Sequence, residues 1–167
     1  NSMNRKVSAI IEARMTSTRL PGKHMLQVLG KPIIKYLIDR LKKVQSLDKI
    51  VMATTINKAD DPLVKLSQES GIKYFRGSEN DVMSRVIEAA ESVSAEIIVS
   101  ITGDCPLIDP QLVEQAIKTF MHNRCDYVNN AAIPGYPGGM NVQVYSLNSL
   151  LKSSKSTNDI LDREHVT

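Results

Sequence analysis

Apolar positions fall into short β-branched runs separated by longer stretches with helical spacing, the alternation that βαβ units and a mostly parallel sheet produce. Residues Val7 to Ala13 predict a first strand, and a polar segment punctuated by Gly and Pro follows through Gly30. Pro32 then opens a helix whose apolar positions are Ile33, Ile34, Leu37, Ile38 and Leu41. Ile50 to Thr54 predicts the second strand. Asp60-Asp61-Pro62 starts a helix that Gly71 stops, and Ile72 to Phe75 gives a short third strand. Ser78 to Asp81 has capping-box form ahead of Val82, Val86, Ala89 and Ala90, so a helix begins near Asp81. Ile97 to Ile101 reads as a central buried strand, because it is apolar throughout. Asp109-Pro110 supplies the cap and first-turn proline of a helix carrying Leu112, Val113, Ala116, Ile117 and Phe120. Asp126 to Val128 is a short strand, Pro134 to Gly139 a turn-rich stretch, Met140 to Tyr145 an alternating strand, and Leu147 to Lys152 a last short helix. With no repeat and no convincing linker, residues 3–167 read as a single α/β domain.

Charge sharpens this picture. Residues 1–43 hold ten Lys/Arg against Glu12 and Asp39, a balance of +8, while the remainder holds eleven against sixteen, or −5. Such asymmetry favours a polyanionic ligand, either nucleic acid or a nucleoside triphosphate. Aromatics make up only 4% of the chain and no RNA- or DNA-binding motif is present, which disfavours nucleic acid. No apolar run approaches the ~18 residues of a membrane span. Cys105 and Cys125, with no leader and no Cys-x-x-Cys spacing, suggest reduced thiols in a cytoplasmic protein.

The segment from Ala13 to Lys23 directly follows the first strand, where open parallel sheets bind ligands. Arg14, Arg19 and Lys23 put three positive charges on one loop, and Ser17, Thr18 and the amides near Gly22 add donors that can surround phosphate oxygens. A Walker loop is excluded because Ser17 stands at its first glycine and His24 follows the lysine. A dinucleotide fingerprint is excluded because the segment holds one glycine. The plain alternative is a solvated basic loop. Thr102-Gly103-Asp104-Cys105-Pro106 follows another central strand and would share the same face; Asp104 there suits Mg²⁺, which takes one or two carboxylates beside substrate phosphates. Taken alone, Asp104 reads equally as a turn aspartate bonding amides around Gly103. The histidines His24 and His165 read as solvated loop side chains, and Met15 and Met25 as packing residues.

These segments resemble the cytidylyltransferases that activate acidic sugars, especially the branch of spore-coat polysaccharide and nonulosonate synthesis. The family's Ala-Arg-x-x-Ser-x-Arg-Leu-Pro-Gly-Lys is matched from Ala13 to Lys23 without a gap. Gly30-Lys31-Pro32, Phe75 to Ser78 with Asp81-Val82, Asp104 to Leu107, and Asp162 to Thr167 match as well. The resemblance implies a three-layer sandwich of the Rossmann-like nucleotide-diphospho-sugar transferase fold that binds CTP and Mg²⁺, usually as a homodimer. It implies that Arg14 and Lys23 contact the triphosphate with support from Ser17 and Arg19, that the main chain at Ala13 meets the base, and that Asp104 carries the metal. Arg14, Lys23 and Asp104 would then be the catalytic groups. Arg76, Ser78, Asp81 and Arg85 would border the nucleotide or the sugar, and Asn141, Gln143, Arg163 and His165 the sugar substrate. The expected reaction is attack of a sugar hydroxyl on the α-phosphorus of CTP, giving a CMP-sugar and pyrophosphate. Two departures are visible. Asn141 and Gln143 are amides where the family commonly has acids, and the sequence stops at Thr167, before a Val-Asp-Thr-Pro-Glu-Asp-like motif whose aspartate helps bind metal. A nucleotide-binding module of the same fold without turnover is therefore the alternative expectation.

Overall fold

The alternating pattern folds into a six-stranded sheet between helical layers, seen in a computed structural model that describes residues 5–16, 22–103, 107–123, 127–129 and 142–156. The strands are β1 (Val7–Glu12), β4 (Lys49–Thr55), β5 (Lys73–Gly77), β6 (Ile97–Thr102), β7 (Tyr127–Asn129) and β8 (Val142–Ser146). A two-stranded ribbon pairs β2 (Gln27–Val28) with β3 (Lys31–Pro32). The helices are α1 (Ile33–Leu41), α2 (Asp61–Glu69), α3 (Val82–Ser92), α4 (Pro110–Asn123) and α5 (Leu147–Ser156).

The sheet order is β5-β4-β1-β6-β8-β7. From β1 the chain steps outward to β4 and β5, then returns through α3 to β6 on the other side of β1. All these strands pair parallel, whereas β8 runs antiparallel to both β6 and β7. The reversal of direction falls between β1 and β6, and ligands of open α/β sheets bind outside the carboxyl ends of strands at such a point.

Side chains alternate across the sheet and fill two apolar layers. Ala9, Ile11, Val99 and Ile101 meet Ile34, Leu37 and Ile38 of α1, Leu63 of α2, and Val113 and Phe120 of α4. On the other face Ile10, Val51 and Ile98 lie under Val86, Ala89 and Ala90 of α3 and Leu150 of α5. Ile10, Ile11, Ile34 and Leu37 are fully buried, and each such side chain contributes roughly 1.5–3 kcal/mol.

The helices begin where the capping residues predict. Asp81 accepts the Ser84 N–H at 3.1 Å and the Ser84 hydroxyl at 2.8 Å, while Ser78 Oγ accepts the Asp81 N–H at 3.1 Å. Asp109 Oδ1 accepts the Gln111 N–H at 2.9 Å at the start of α4. Gly71, at φ 74°, follows the end of α2. The segment read as loop through Gly30 holds more structure than expected. A 3-10 turn covers Lys23–Met25, and the β2–β3 ribbon turns on Leu29 (φ 52°) and Gly30 (φ 85°), the paired positive φ values of a tight hairpin. No helix among the described residues is long and apolar enough to cross a membrane.

Candidate functional site

The carboxyl ends of β1 and β6 are tied together before either loop begins. Glu12 pairs with Thr102, Gly103 N–H donates to the Glu12 carbonyl at 2.9 Å, and Ala13 N–H donates to the Ala53 carbonyl of β4 at 3.3 Å. Ala13 is buried, and the chain beyond it enters the basic loop. That loop has a closed neck, because the Gly22 N–H donates to the Met15 carbonyl at 2.9 Å. Gly22 adopts φ 75°, which a side chain would strain, and it delivers Lys23 at the head of the 3-10 turn. Met15 and Met25 pack against the apolar core, as expected for residues with no chemistry of their own.

His24 brings the two exits into contact. It is only 5% exposed, so the expectation of a solvated imidazole does not hold. A Cβ added to Gly103 would stand 2.8 Å from His24 Cε1, 2.9 Å from its Nδ1 and 3.2 Å from the Ala13 Cβ. Gly103 is therefore the residue that lets the imidazole close against the end of β6. As a result Lys23, Ala13 and the residue preceding Asp104 share one edge of the sheet.

Charges near this edge are arranged in pairs. Arg14 Nη1 lies 3.6 Å from Glu79 Oε1, with both side chains about two-fifths exposed, so the pair adds little to stability. Glu79 also accepts from Asn57 Nδ2 at 2.8 Å and Thr16 Oγ1 at 3.2 Å. The Asn57 amide and the Thr16 hydroxyl, with Arg14 nearby, hold its carboxyl below the ordinary value. Arg76 braces the end of β4: Nε donates to the Thr55 carbonyl and Nη2 to the Asn57 carbonyl, both at 2.7 Å, and Nη1 meets Asp61 Oδ1 at 2.8 Å. Arg85 is 3% exposed, and its Nη1 donates to the Ser78 carbonyl at 2.9 Å. Burial pulls its guanidinium below the ordinary value, opposed chiefly by Glu12. Burial likewise lifts the Glu12 carboxyl, against the Ser100 hydroxyl that donates to it at 2.9 Å and against Arg85. Gln143 of β8 pairs with Ser100 and is buried on the same face.

Of the residues expected from sequence, Ala13 lies beside the His24–Gly103 contact, Arg14 follows it and pairs with Glu79, Lys23 follows Gly22, Ser78 and Asp81 cap α3, and Arg76 and Arg85 hold the neighbouring turns. Ser17, Arg19, Asp104, Asn141, Arg163 and His165 lie outside the described residues. Among the described residues no group of three or more His, Cys, Asp or Glu could hold a metal ion. Sequence reading passed over Glu12, Asp60 and Glu79. Glu12 was signalled only as an acid ending an apolar strand. Asp60 looked like half of a doubled helix start, yet its side chain does not cap α2 and instead accepts the Met15 N–H at 2.6 Å.

Known proteins are similar to this chain in sequence and in fold. The chain is 38% identical over 162 residues to the uncharacterized protein MJ1063 of Methanocaldococcus jannaschii, covering 97% of this chain and 65% of that protein. It is 32% identical over 163 residues to the spore coat polysaccharide biosynthesis protein SpsF of Bacillus subtilis, covering 95% and 67%. The chain thus spans about two thirds of the length of these curated relatives. A solved cytidylyltransferase from Leptospira borgpetersenii superposes with a TM-score of 0.92 at 34% identity, covering 98% of this chain and 69% of that one. The cytidylyltransferase family profile matches residues 8–167, from the second residue of β1 through the whole rim, and the chain belongs to that family.

Proposed function

We propose that this protein transfers a cytidylyl group from CTP to a hydroxyl of a sugar, an acidic one destined for surface polysaccharide, and releases pyrophosphate. The observation that carries the reading is the neck-closed basic loop beside the β6 exit at the point where strand order reverses. The sugar oxygen attacks the α-phosphorus, the bond from that phosphorus to the bridging oxygen of pyrophosphate breaks, and the hydroxyl proton leaves to solvent. Charge grows on the departing oxygens, so Arg14 and Lys23, supported by Ser17 and Arg19, bind and orient the triphosphate. The main chain at Ala13 receives the base. The donor at the β6 exit is a carboxylate, Asp104, whose hard oxygens suit Mg²⁺ together with phosphate oxygens and water. When bound, the ion neutralises charge on the leaving phosphates. Arg76, Ser78, Asp81 and Arg85 shape the neighbouring wall, and Asn141, Gln143, Arg163 and His165 are assigned to the sugar. The same reading has the protein acting as a homodimer, which the family resemblance implies, and in the cytoplasm, which its two cysteines without Cys-x-x-Cys spacing suggest.

Gln143 supports a second reading, a nucleotide-binding module without turnover, because it is a buried amide at a position where the family resemblance implies an acid. One assay separates the two. Pyrophosphate release from CTP, Mg²⁺ and a panel of sugar acids is expected, falling about 10²-fold or more in Arg14→Ala and in Lys23→Ala. A rise in melting temperature with CTP but no release with any acceptor favours the module, and absence of both overturns the proposal.

A further inference from the structure

We infer that Asp60 is a positioning residue for the basic loop, acting through Met15 to set where Arg14 and Lys23 stand. The inference rests on the proposed function only for what the loop binds. Asp60 is fully buried, 45 residues from Met15 in sequence, and does not cap the helix that it precedes. A buried carboxylate is expensive unless donors surround it, and here they do. Oδ1 accepts the Met15 N–H at 2.6 Å, while Oδ2 accepts the Thr55 N–H at 3.3 Å and the Thr55 hydroxyl. The Thr55 end is itself fixed, since Arg76 Nε donates to the Thr55 carbonyl and Asn57 N–H donates to Thr55 Oγ1 at 3.1 Å.

Met15 is consequently held through both backbone groups. Its N–H goes to Asp60 and its carbonyl receives Gly22 N–H, so one residue anchors both ends of the loop to the end of β4. Arg14 immediately precedes that anchor and Lys23 immediately follows Gly22. A displacement of Met15 therefore moves both cations, and misplacement of such groups by about 1 Å can cost ~10²-fold in rate.

The test compares Asp60→Ala with Asp60→Asn, which keeps an oxygen facing the Met15 N–H. CTP affinity is measured by calorimetry, KM and kcat by pyrophosphate release, and amide hydrogen exchange on the nucleotide-free protein. Asp60→Ala is expected to weaken CTP binding about tenfold or more, raise KM and lower kcat/KM by about 10²-fold, and speed exchange at Met15 and Gly22. Asp60→Asn turns its amide NH2 toward the Thr55 donors, so its melting temperature is expected to fall while CTP affinity and KM stay within about threefold of wild type. A lowered melting temperature of Asp60→Ala with unchanged KM and CTP affinity, or equal losses of CTP affinity in both variants, overturns the inference. If Asp60→Ala does not fold, exchange at Met15 of the wild type decides: protection equal to that of the β1 amides supports the anchor, and exchange as fast as an open loop overturns it. Should the wild type fail to bind CTP, the proposed function falls, and the exchange measurements still decide whether Asp60 holds the loop.

Discussion

The two faces of the sheet are buried to similar depth with different chemistry. Beneath α1, α2 and α4, β1 presents Val7, Ala9 and Ile11, with Ala13 just beyond it, and β6 presents Ile97, Val99 and Ile101, an aliphatic layer along its length. Beneath α3 the layer starts in the same way with Ile10 and Ile98, then turns polar toward the carboxyl edge, where Glu12, Ser100, Gln143 and Arg85 are enclosed. Desolvating charges is costly even when they attract one another, so hydrophobic residues of similar volume would serve stability as well or better. What the polar half provides instead is a held geometry. Arg85 donates to the carbonyl of Ser78, the next residue is Glu79, and Glu79 meets Arg14. Arg85 Nε has no hydrogen-bond partner among the described residues.

The contrast can be broken most forcefully at Arg85. Arg85→Met strips Glu12 of its opposite charge, and urea unfolding at neutral pH is expected to show a loss of about 3 kcal/mol. Adding Glu12→Gln should recover more than half of that loss; full additivity in the double-mutant cycle would show that the two groups do not act as a unit. A smaller effect, about 1–3 kcal/mol, is expected for Gly103→Ala, whose new methyl meets His24 and Ala13. His24→Ala in the same chain should relieve it, and an unrelieved loss in melting temperature would place the strain elsewhere.

The smallest effect concerns pH. Because the Glu12 carboxyl is raised by burial, the native protein keeps that proton to higher pH than the unfolded chain does. Stability therefore falls as pH climbs from the ordinary value near 4.5 through the raised one. Glu12→Gln removes this component, so its melting temperature relative to wild type should rise across that window and then level off. A relative decline over the same window would mean that Glu12 is stabilised as the anion.

Much of the fold was legible because its strands and helices have strong, distinct periods. β1, β4 and β6 emerge within one or two residues of their apolar runs, and Asp81 and Asp109 mark the helices they were expected to start. The β2–β3 ribbon was not legible, since two residues per strand carry no period and nothing in Leu29 announces a positive φ. The alternation in β8 signals a strand but not its reversed direction. At the rim, the basic run after β1 and the segment from Thr102 to Pro106 after β6 are expected to share a face because both follow parallel central strands, and His24 against Gly103 brings the starts of the two together. The burial of His24 was missed because the space a glycine leaves open cannot be read from neighbours in sequence. Asp60 and Glu79 were missed for a related reason: their partners Met15 and Thr16 stand 45 and 63 residues away, and only the packed sheet brings them close.

The central position of β1 also dictates an order of assembly. Its Ser8 must find Lys49 on one flank and Ile98 on the other, so the strand is made before either partner and gains its second neighbour only after the chain has grown through β6. Contacts so distant in sequence form slowly, since a long loop must close before they reward it. Any small molecule that grips both flanks of β1 recognises finished chains only, and its presence would draw late intermediates toward the native state by mass action.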